Sequence, residues 1–335
     1  MALTDFPRVR LAHVPTPLEF MGNFSEWLGG PDIYIKRDDC TGLAMGGNKA
    51  RQLEYYFGAA QAEDADTVII TGAVQSNFVR QAAAAARKLG MDIHVQLEDR
   101  VAGKDDLYRQ SGNVLLDRLL GATIHTFDTG EDEAAADAAL ETIAATLRTE
   151  GRRPYVIHLG AGHAPLGALG YVDCALEVLD QAKAQGLVID STVLASGSAA
   201  THSGFLVGLR HGANAMPVHG ICVRRDADLQ RPRVLKRVEE VAAMVGLTPA
   251  PVDSDINVDD AWLGGGYGQV GPEVTEALEM TARTEGILLD PVYTAKAMAG
   301  LIGLARQGAI RKGQAVLFLH TGGTPALFGY SQFLD

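Results

Sequence analysis

"DTVIITGAVQSNFVRQAAAAARKLGMDIHVQLE", residues 66–98, contains a complete strand–helix–strand unit. "DTVIITG" (66–72) is a short apolar run rich in β-branched residues, as expected for a strand buried on both faces. "FVRQAAAAARKLG" (78–90) is an alanine-rich helix with basic residues in its last turn and a glycine stop. "DIHVQLE" (92–98) is the next strand. The same alternation continues on either side. "LYRQSGNVLLDRLLG" (107–121) reads as helix, "ATIHTFD" (122–128) as strand and 131–151 as helix. Strands are expected at 154–160, 191–196, 217–223 and 315–320, with helices over 171–186, from about 202, and over 272–286 and 295–308. Near-continuous apolar strands alternating with helices give an α/β fold with parallel sheets covered on both faces.

With 335 residues the chain has material for about two domains. Apolar residues make up 47% and the mean hydropathy is +0.04, enough for a large core. No run approaches the roughly 18–20 apolar residues of a membrane span. The first twenty residues lack the continuous apolar stretch of a signal peptide, so a cytoplasmic protein is expected. A formal charge of −12 argues against nucleic acid or an anionic membrane as the main partner. Cys40, Cys174 and Cys222 are scattered, and the nine histidines form no H-E-x-x-H pattern, so no metal site is expected.

Open parallel sheets bind ligands in the loops that leave the carboxyl ends of their strands. Three such loops combine glycine, small residues and hydroxyls just ahead of a helix: "TGAVQSNF" (71–78), "ASGSAATHSG" (195–204) and "HTGGTPALF" (320–328). The second could be an ordinary capped turn or a cradle of backbone N–H groups for a phosphate. It carries neither the G-K-[ST] of a nucleotide P-loop nor G-x-G-x-x-G, so the phosphate would belong to a cofactor with a single one. "GAGHAPLGALG" (160–170) has the wrong spacing for a nucleotide loop and reads as helix–sheet packing.

Lys49 follows two glycines in "MGGNKARQLEYY" (45–56), where Leu53, Tyr56, Phe57 and Ala60 mark one apolar face of a helix. A cation at a helix start is disfavoured by about 0.3–1 kcal/mol, whereas a neutral, nucleophilic amine is not. Of the eight lysines, 88, 104, 183, 236, 296 and 312 read as solvated surface charge. Lys36, in "IYIKRDD", reads as exposed or paired with its acidic neighbours. Lys49 taken alone is also a plain surface lysine. Beside a single-phosphate cradle it becomes a candidate Schiff-base lysine for pyridoxal phosphate. In "QSN", Ser76 and Asn77 are either turn and cap residues or ligands for a ring oxygen and a substrate carboxylate. Tyr267, among glycines, and Tyr293 are either packed rings or site residues.

Together "PTPLEF", "IYIKRDD", "AMGGNKARQLEY", "GAVQSNFVRQAAA", "ASGSAATHSG", "EGILLDPVYTAKAMAGL" and "LFLHTGGTPALF" resemble, in order and over nearly the whole chain, the D-cysteine desulfhydrase and 1-aminocyclopropane-1-carboxylate deaminase family. The resemblance implies a tryptophan-synthase-β-like (type II) fold that binds pyridoxal phosphate between two α/β domains. A small domain would span 51–160, and a large one would be built from 1–50 and 161–335. By the same resemblance Lys49 would carry the cofactor, Asn77 would bond its 3-oxygen, and Ser198, Ala199, Ala200 and Thr201 would hold its phosphate. Thr321 would lie near the ring. Gln75, Ser76 and Phe78 would face the substrate, with Ser76, Tyr267 and Tyr293 among the catalytic groups, in a homodimer acting on a small amino acid.

Three departures from the family pattern bear on specificity. Phe78 stands where Q-S-N-H-V-R has histidine. Thr294 stands where the deaminases place a glutamate against the pyridine nitrogen, and Gln52 where the family commonly has lysine. Within the family the pattern is most similar to enzymes that release sulfite from L-cysteate. D-cysteine desulfhydration is the next expectation, deaminase activity a weaker one, and a non-catalytic pyridoxal phosphate binder the rival of a different class. His163, His202 or loop N–H groups could meet a sulfonate, although a packed histidine is the simpler reading of each.

Overall fold

The central strands carry almost no solvent-exposed atoms, because helices cover both faces of the two sheets they form. The computed structural model describes residues 3–130, 132–160 and 162–330. The first elements are β1 (Leu18–Phe20), α1 (Gly22–Leu28), β2 (Asp32–Arg37) and α2 (Lys49–Ala62). Next come β3 (Thr67–Ala73), α3 (Asn77–Lys88), β4 (Asp92–Glu98), α4 (Asp106–Gln110), α5 (Gly112–Leu119), β5 (Thr123–Phe127), α6 (Glu133–Thr149) and β6 (Pro154–Ile157). The chain continues through α7 (Leu169–Gln185), β7 (Ser191–Ser196), α8 (Ala200–His211), β8 (Val218–Cys222), α9 (Ala227–Val245) and β9 (Asn257–Asp259). It closes with α10 (Pro272–Glu285), α11 (Thr294–Arg306) and β10 (Ala315–His320).

One sheet has the strand order β1-β2-β10-β7-β8-β9, and the other β5-β4-β3-β6. Every pairing is parallel except that of β1 with β2 at the edge. All seven residues of β3 are buried, as a two-face-covered strand requires. The four-stranded sheet comes from one continuous stretch, 67–157, and the six-stranded sheet from segments on either side of it. No helix among the described residues is long and apolar enough to cross a membrane.

Several expectations need correction. The helix read over 107–121 breaks at Ser111, whose extended backbone (ψ −172°) ends α4 and opens α5. The nineteen-residue α9 was not legible, because charged residues and Pro232 interrupt its apolar period. Lys36 and Lys296 are fully buried rather than solvated. Lys296 gives its ammonium to the carbonyls of Leu263 (2.7 Å) and Gly266 (2.6 Å). Lys36 pairs with the distant Glu177 (2.5 Å), not with the acidic residues beside it. Helix α2 is buried nearly all round, so its polar residues also face protein.

One of those polar residues, Arg51, lies at the centre of a buried ion network. Its guanidinium donates to both carboxylate oxygens of Asp38 (2.9 and 3.0 Å) and both of Glu177 (2.9 and 3.0 Å). Tyr171 donates to Asp38 as well, at 2.6 Å. Burial pushes the Asp38 carboxyl up, but Arg51, Tyr171 and Lys36 together outweigh it and hold the group below its ordinary value. Removing one member of a buried ion cluster leaves the others uncompensated, at a cost of about 3–5 kcal/mol. Arg51→Met is therefore expected to lower the urea midpoint by that amount of stability with the slope unchanged, measured by far-UV circular dichroism.

Candidate active site

The lysine at the start of α2 is delivered by an unusual loop. Ala44, Met45, Gly46 and Gly47 all have positive φ (43°, 69°, 68° and 125°). A β-carbon on Gly46 would lie 1.9 Å from the Asp39 carbonyl oxygen, and one on Gly47 2.6 Å from the Gln81 amide, so neither position admits a side chain without rearrangement. Arg80 donates to the Gly46 carbonyl (2.9 Å), and the Asn48 N–H donates to the Thr321 carbonyl (3.0 Å). The loop is thus pinned at both ends of the glycine pair. Lys49 faces a cleft enclosing about 1200 Å3, part of it open to solvent. Desolvation lowers its amine to about 8, so about a tenth of it is neutral at pH 7 and about half at pH 8. The Nζ lies 5.0 Å from the centre of the Phe78 ring and 3.2 Å from Gln52 Oε1.

All three loops singled out in the sequence line this cleft, through Ser76–Phe78, Gly197–Thr201 and Thr321–Gly322. The phosphate-like loop has Ala199 in the left-handed conformation (φ 74°) immediately before α8. The first-turn N–H groups of α8 have no intrahelical acceptor and suit an anion. The Thr201 hydroxyl accepts from Asn48 (2.9 Å) and Gln52 (3.0 Å), which leaves its own hydrogen to donate. Asn113 donates to the Asn77 amide oxygen (3.0 Å), so the group that Asn77 offers the cleft is its NH2. A donor for a ring oxygen, a desolvated amine and an N–H cradle in one cleft fit pyridoxal phosphate.

On the opposite wall the Tyr267 and Tyr293 hydroxyls meet at 2.5 Å. Burial raises both pKa values, so both phenols are protonated at neutral pH. Tyr293 is fixed by Asp290, whose carboxylate accepts from the N–H groups of Val292, Tyr293 and Thr294 (2.9, 3.0 and 2.8 Å).

Two sequence expectations fail here. Gln75 does not line the cleft: its amide donates to the carbonyls of Tyr108 (2.5 Å) and Ser111 (2.9 Å) and accepts from the Asn113 N–H (2.9 Å). It serves to tie α4 and α5 to the loop. Thr294 is also outside the lining, with its hydroxyl on Asp290 Oδ1 at 2.7 Å, so it does not take the place of a carboxylate beside the ring. Ser76 both lines the cleft and caps α3, accepting from the Val79 N–H at 3.3 Å.

Sequence reasoning missed the charged rim. Arg100, Arg224, Arg233 and Arg237 line the cleft, and Glu133 is the one carboxylate among its described lining residues. The available signals were the doublet Arg224–Arg225 directly after a strand and the i, i+4 pair Arg233 and Arg237. Neither histidine singled out earlier brings charge. His202 is buried, with Nδ1 3.1 Å from the Ser196 hydroxyl, and burial lowers it to about 4. His163 stacks on His158 with ring centres 3.7 Å apart, and burial lowers its pKa too. Asp137, His158 and His163 bring three metal-ligand-type atoms within 4.8 Å of one another, a grouping that sequence spacing did not reveal.

The model of the pyridoxal-phosphate dependent enzymes matches residues 9–322. D-cysteine desulfhydrase of Salmonella choleraesuis (strain SC-B67) is 45% identical over 328 residues, covering 98% of this chain and 97% of that protein. The protein of the same name from Salmonella typhi is 44% identical over the same length. A crystal structure of an ACC deaminase homologue superposes with a TM-score of 0.88 at 38% identity, covering 99% of this chain and 96% of that one. The chain belongs to the pyridoxal-phosphate dependent enzyme family and is a lyase of the D-cysteine desulfhydrase and ACC deaminase type.

Proposed function

We propose that this enzyme eliminates the β-substituent of a small amino acid and that its substrate is L-cysteate, which with water yields pyruvate, sulfite and ammonia. The observation that carries the reading is the composition of one cleft: a lysine amine on one wall, a tyrosine pair on another, and a rim of four arginines, of which Arg100 and Arg237 pair with Glu98 and Glu240 outside the lining while Arg224 and Arg233 share Glu133. A cleft so charged favours a substrate with more negative charge than a neutral thiol provides.

The cofactor, when bound, supplies the electron sink for a carbanion at Cα. In our reading Lys49 would hold it and would move the proton at Cα, a task suited to an amine poised near 8. Ser198 to Thr201 would hold the phosphate, Asn77 would donate to the ring oxygen, and Thr321 would border the ring. Ser76 and Phe78 border the substrate, and the protonated Tyr267–Tyr293 pair is a proton donor across the cleft.

A second reading, D-cysteine desulfhydration, is favoured by the names of the relatives at 44–45% identity. Assay of pyruvate together with sulfite and sulfide on L-cysteate and D-cysteine separates the two. Pyruvate with sulfite from L-cysteate is the expected outcome, and pyruvate with sulfide from D-cysteine alone would establish the second reading instead.

Two measurements test the machinery independently of substrate. Lys49→Ala is expected to abolish the visible absorption of the bound cofactor. In the native sequence, cofactor uptake by stripped protein needs the neutral amine, so its rate should rise with pH through about 8 and level off above it. A rise centred near the ordinary lysine value would refute the assignment. The homodimer implied by the resemblance is our expected assembly, with a sedimenting mass of about twice the 35.5 kDa chain.

A further inference from the structure

Of the four arginines that line the cleft, two are committed elsewhere. Arg100 donates to Glu98 at 2.8 Å. Arg237 donates to Glu240 (2.6 Å) and to the carbonyls of His163 (2.6 Å) and Gly160 (2.7 Å). Arg224 and Arg233 share one carboxylate: Arg224 Nη1 lies 3.2 Å from Glu133 Oε1 and Arg233 Nη1 3.1 Å from Glu133 Oε2, while Arg233 Nη2 also donates to the Leu159 carbonyl at 3.4 Å. Arg225 joins them at 2.5 Å. Glu133 opens α6, beside the four-stranded sheet, whereas the arginines belong to β8–α9 beside the six-stranded one, so the cluster bridges the cleft.

We propose that Arg224 and Arg233 form the subsite for a second anionic group on the substrate, with Glu133 as the counter-ion that holds them in place until it binds. The proposal rests on the reading of L-cysteate as substrate and assigns its sulfonate a place. Both side chains are at least 87% buried, so their charges are poorly screened by water. Arg233 Nε is buried with no partner among the described residues, a donor still available. Burial, with Arg224 and Arg233 nearby, lowers Arg225 to about 10 although Glu133 opposes them. Planar guanidinium forks match the oxygens of a sulfonate in pairs. A thiol at neutral pH offers them neither charge nor paired acceptors, so the subsite would discriminate between the two candidate substrates.

The same chemistry could serve the cofactor's phosphate, since Arg225 also donates to the carbonyl of Gly197 (3.4 Å) in the adjoining loop. Kinetics on the holoenzyme separate these sources. Arg233→Gln, Arg224→Gln and the conservative Arg233→Lys are compared on L-cysteate and on β-chloro-L-alanine, which undergoes the same elimination without a second anion. Cofactor affinity is measured by absorbance titration. Loss of one charge-assisted contact should raise KM for L-cysteate at least about tenfold more than KM for β-chloroalanine, with partial recovery in Arg233→Lys. Equal changes on both substrates would overturn the proposal, and so would a tenfold loss of cofactor affinity with the KM ratio unmoved. If the native enzyme releases no sulfite from L-cysteate, the substrate reading has failed, and L-cysteate is tested as a competitive inhibitor of β-chloroalanine turnover. Inhibition that weakens in Arg233→Gln supports the subsite. Inhibition equal in both enzymes, or absent from both, overturns it.

Discussion

The site depends on how helix α2 is held. Its first residue is Lys49, and two positions on, about 200° round the helix, Arg51 points away from the cleft into a wholly protein environment. There it clamps Asp38, at the end of β2, and Glu177, on α7, while Lys36 braces Glu177 from the other side. Each of these ions would cost several kcal/mol to bury alone, so the arrangement is tolerable only with all partners present. That requirement fixes the helix in both rotation and depth. The lysine on its opposite side is aimed by the network without touching it.

The loop ahead of α2 adds the second constraint. Four consecutive residues with positive φ let the chain turn sharply under Thr321, and only glycine fits against the Asp39 carbonyl and the Gln81 amide. A strained loop at one end and an ion network along one side leave little freedom for the amine between them. Such preorganisation is what a proton-transfer group needs, since small displacements are costly in rate. The desolvation that lowers Lys49 follows from the same packing, because the Phe78 ring and the rest of the cleft wall replace water around it.

What could be read from the sequence was whatever depends on local pattern. Strand–helix alternation gave both sheets, and glycine with small polar residues after β3, β7 and β10 marked the three loops that line the cleft. Lys49 was legible because "GG" before an amphipathic helix is a local oddity. What could not be read depends on partners far apart in the chain. Lys36 looked exposed because Glu177 lies 141 residues away, and Lys296 because its acceptors are backbone carbonyls with no signature. The resemblance turned Gln75 toward the substrate because a matched motif does not say where an amide points, and α4 and α5 claim it. The arginine rim escaped notice because an overall charge of −12 hides a local concentration of the opposite sign.

Charge in the cleft is divided by function. The groups that would handle protons carry little permanent charge: Lys49 is poised near 8, within reach of its neutral form, and the two phenols are held protonated. Permanent charge is left to guanidinium groups, which do not titrate in the working range. This division bears on the leaving group. A thiolate leaving from the β-carbon is basic and needs a proton, which the tyrosine pair can donate. A sulfonate carries one negative charge before the carbon–sulfur bond breaks, and sulfite carries a second as the bonding pair departs with sulfur. Stabilising that added charge calls for fixed cations more than for an acid, since groups already oriented need no reorganisation as the charge develops. A cleft with phenols on one wall and arginines on another contains the apparatus for either departure. If Lys49 is the proton-transfer group proposed above, the position of the β-substituent, toward Tyr267 or toward Arg233, would decide which departure follows.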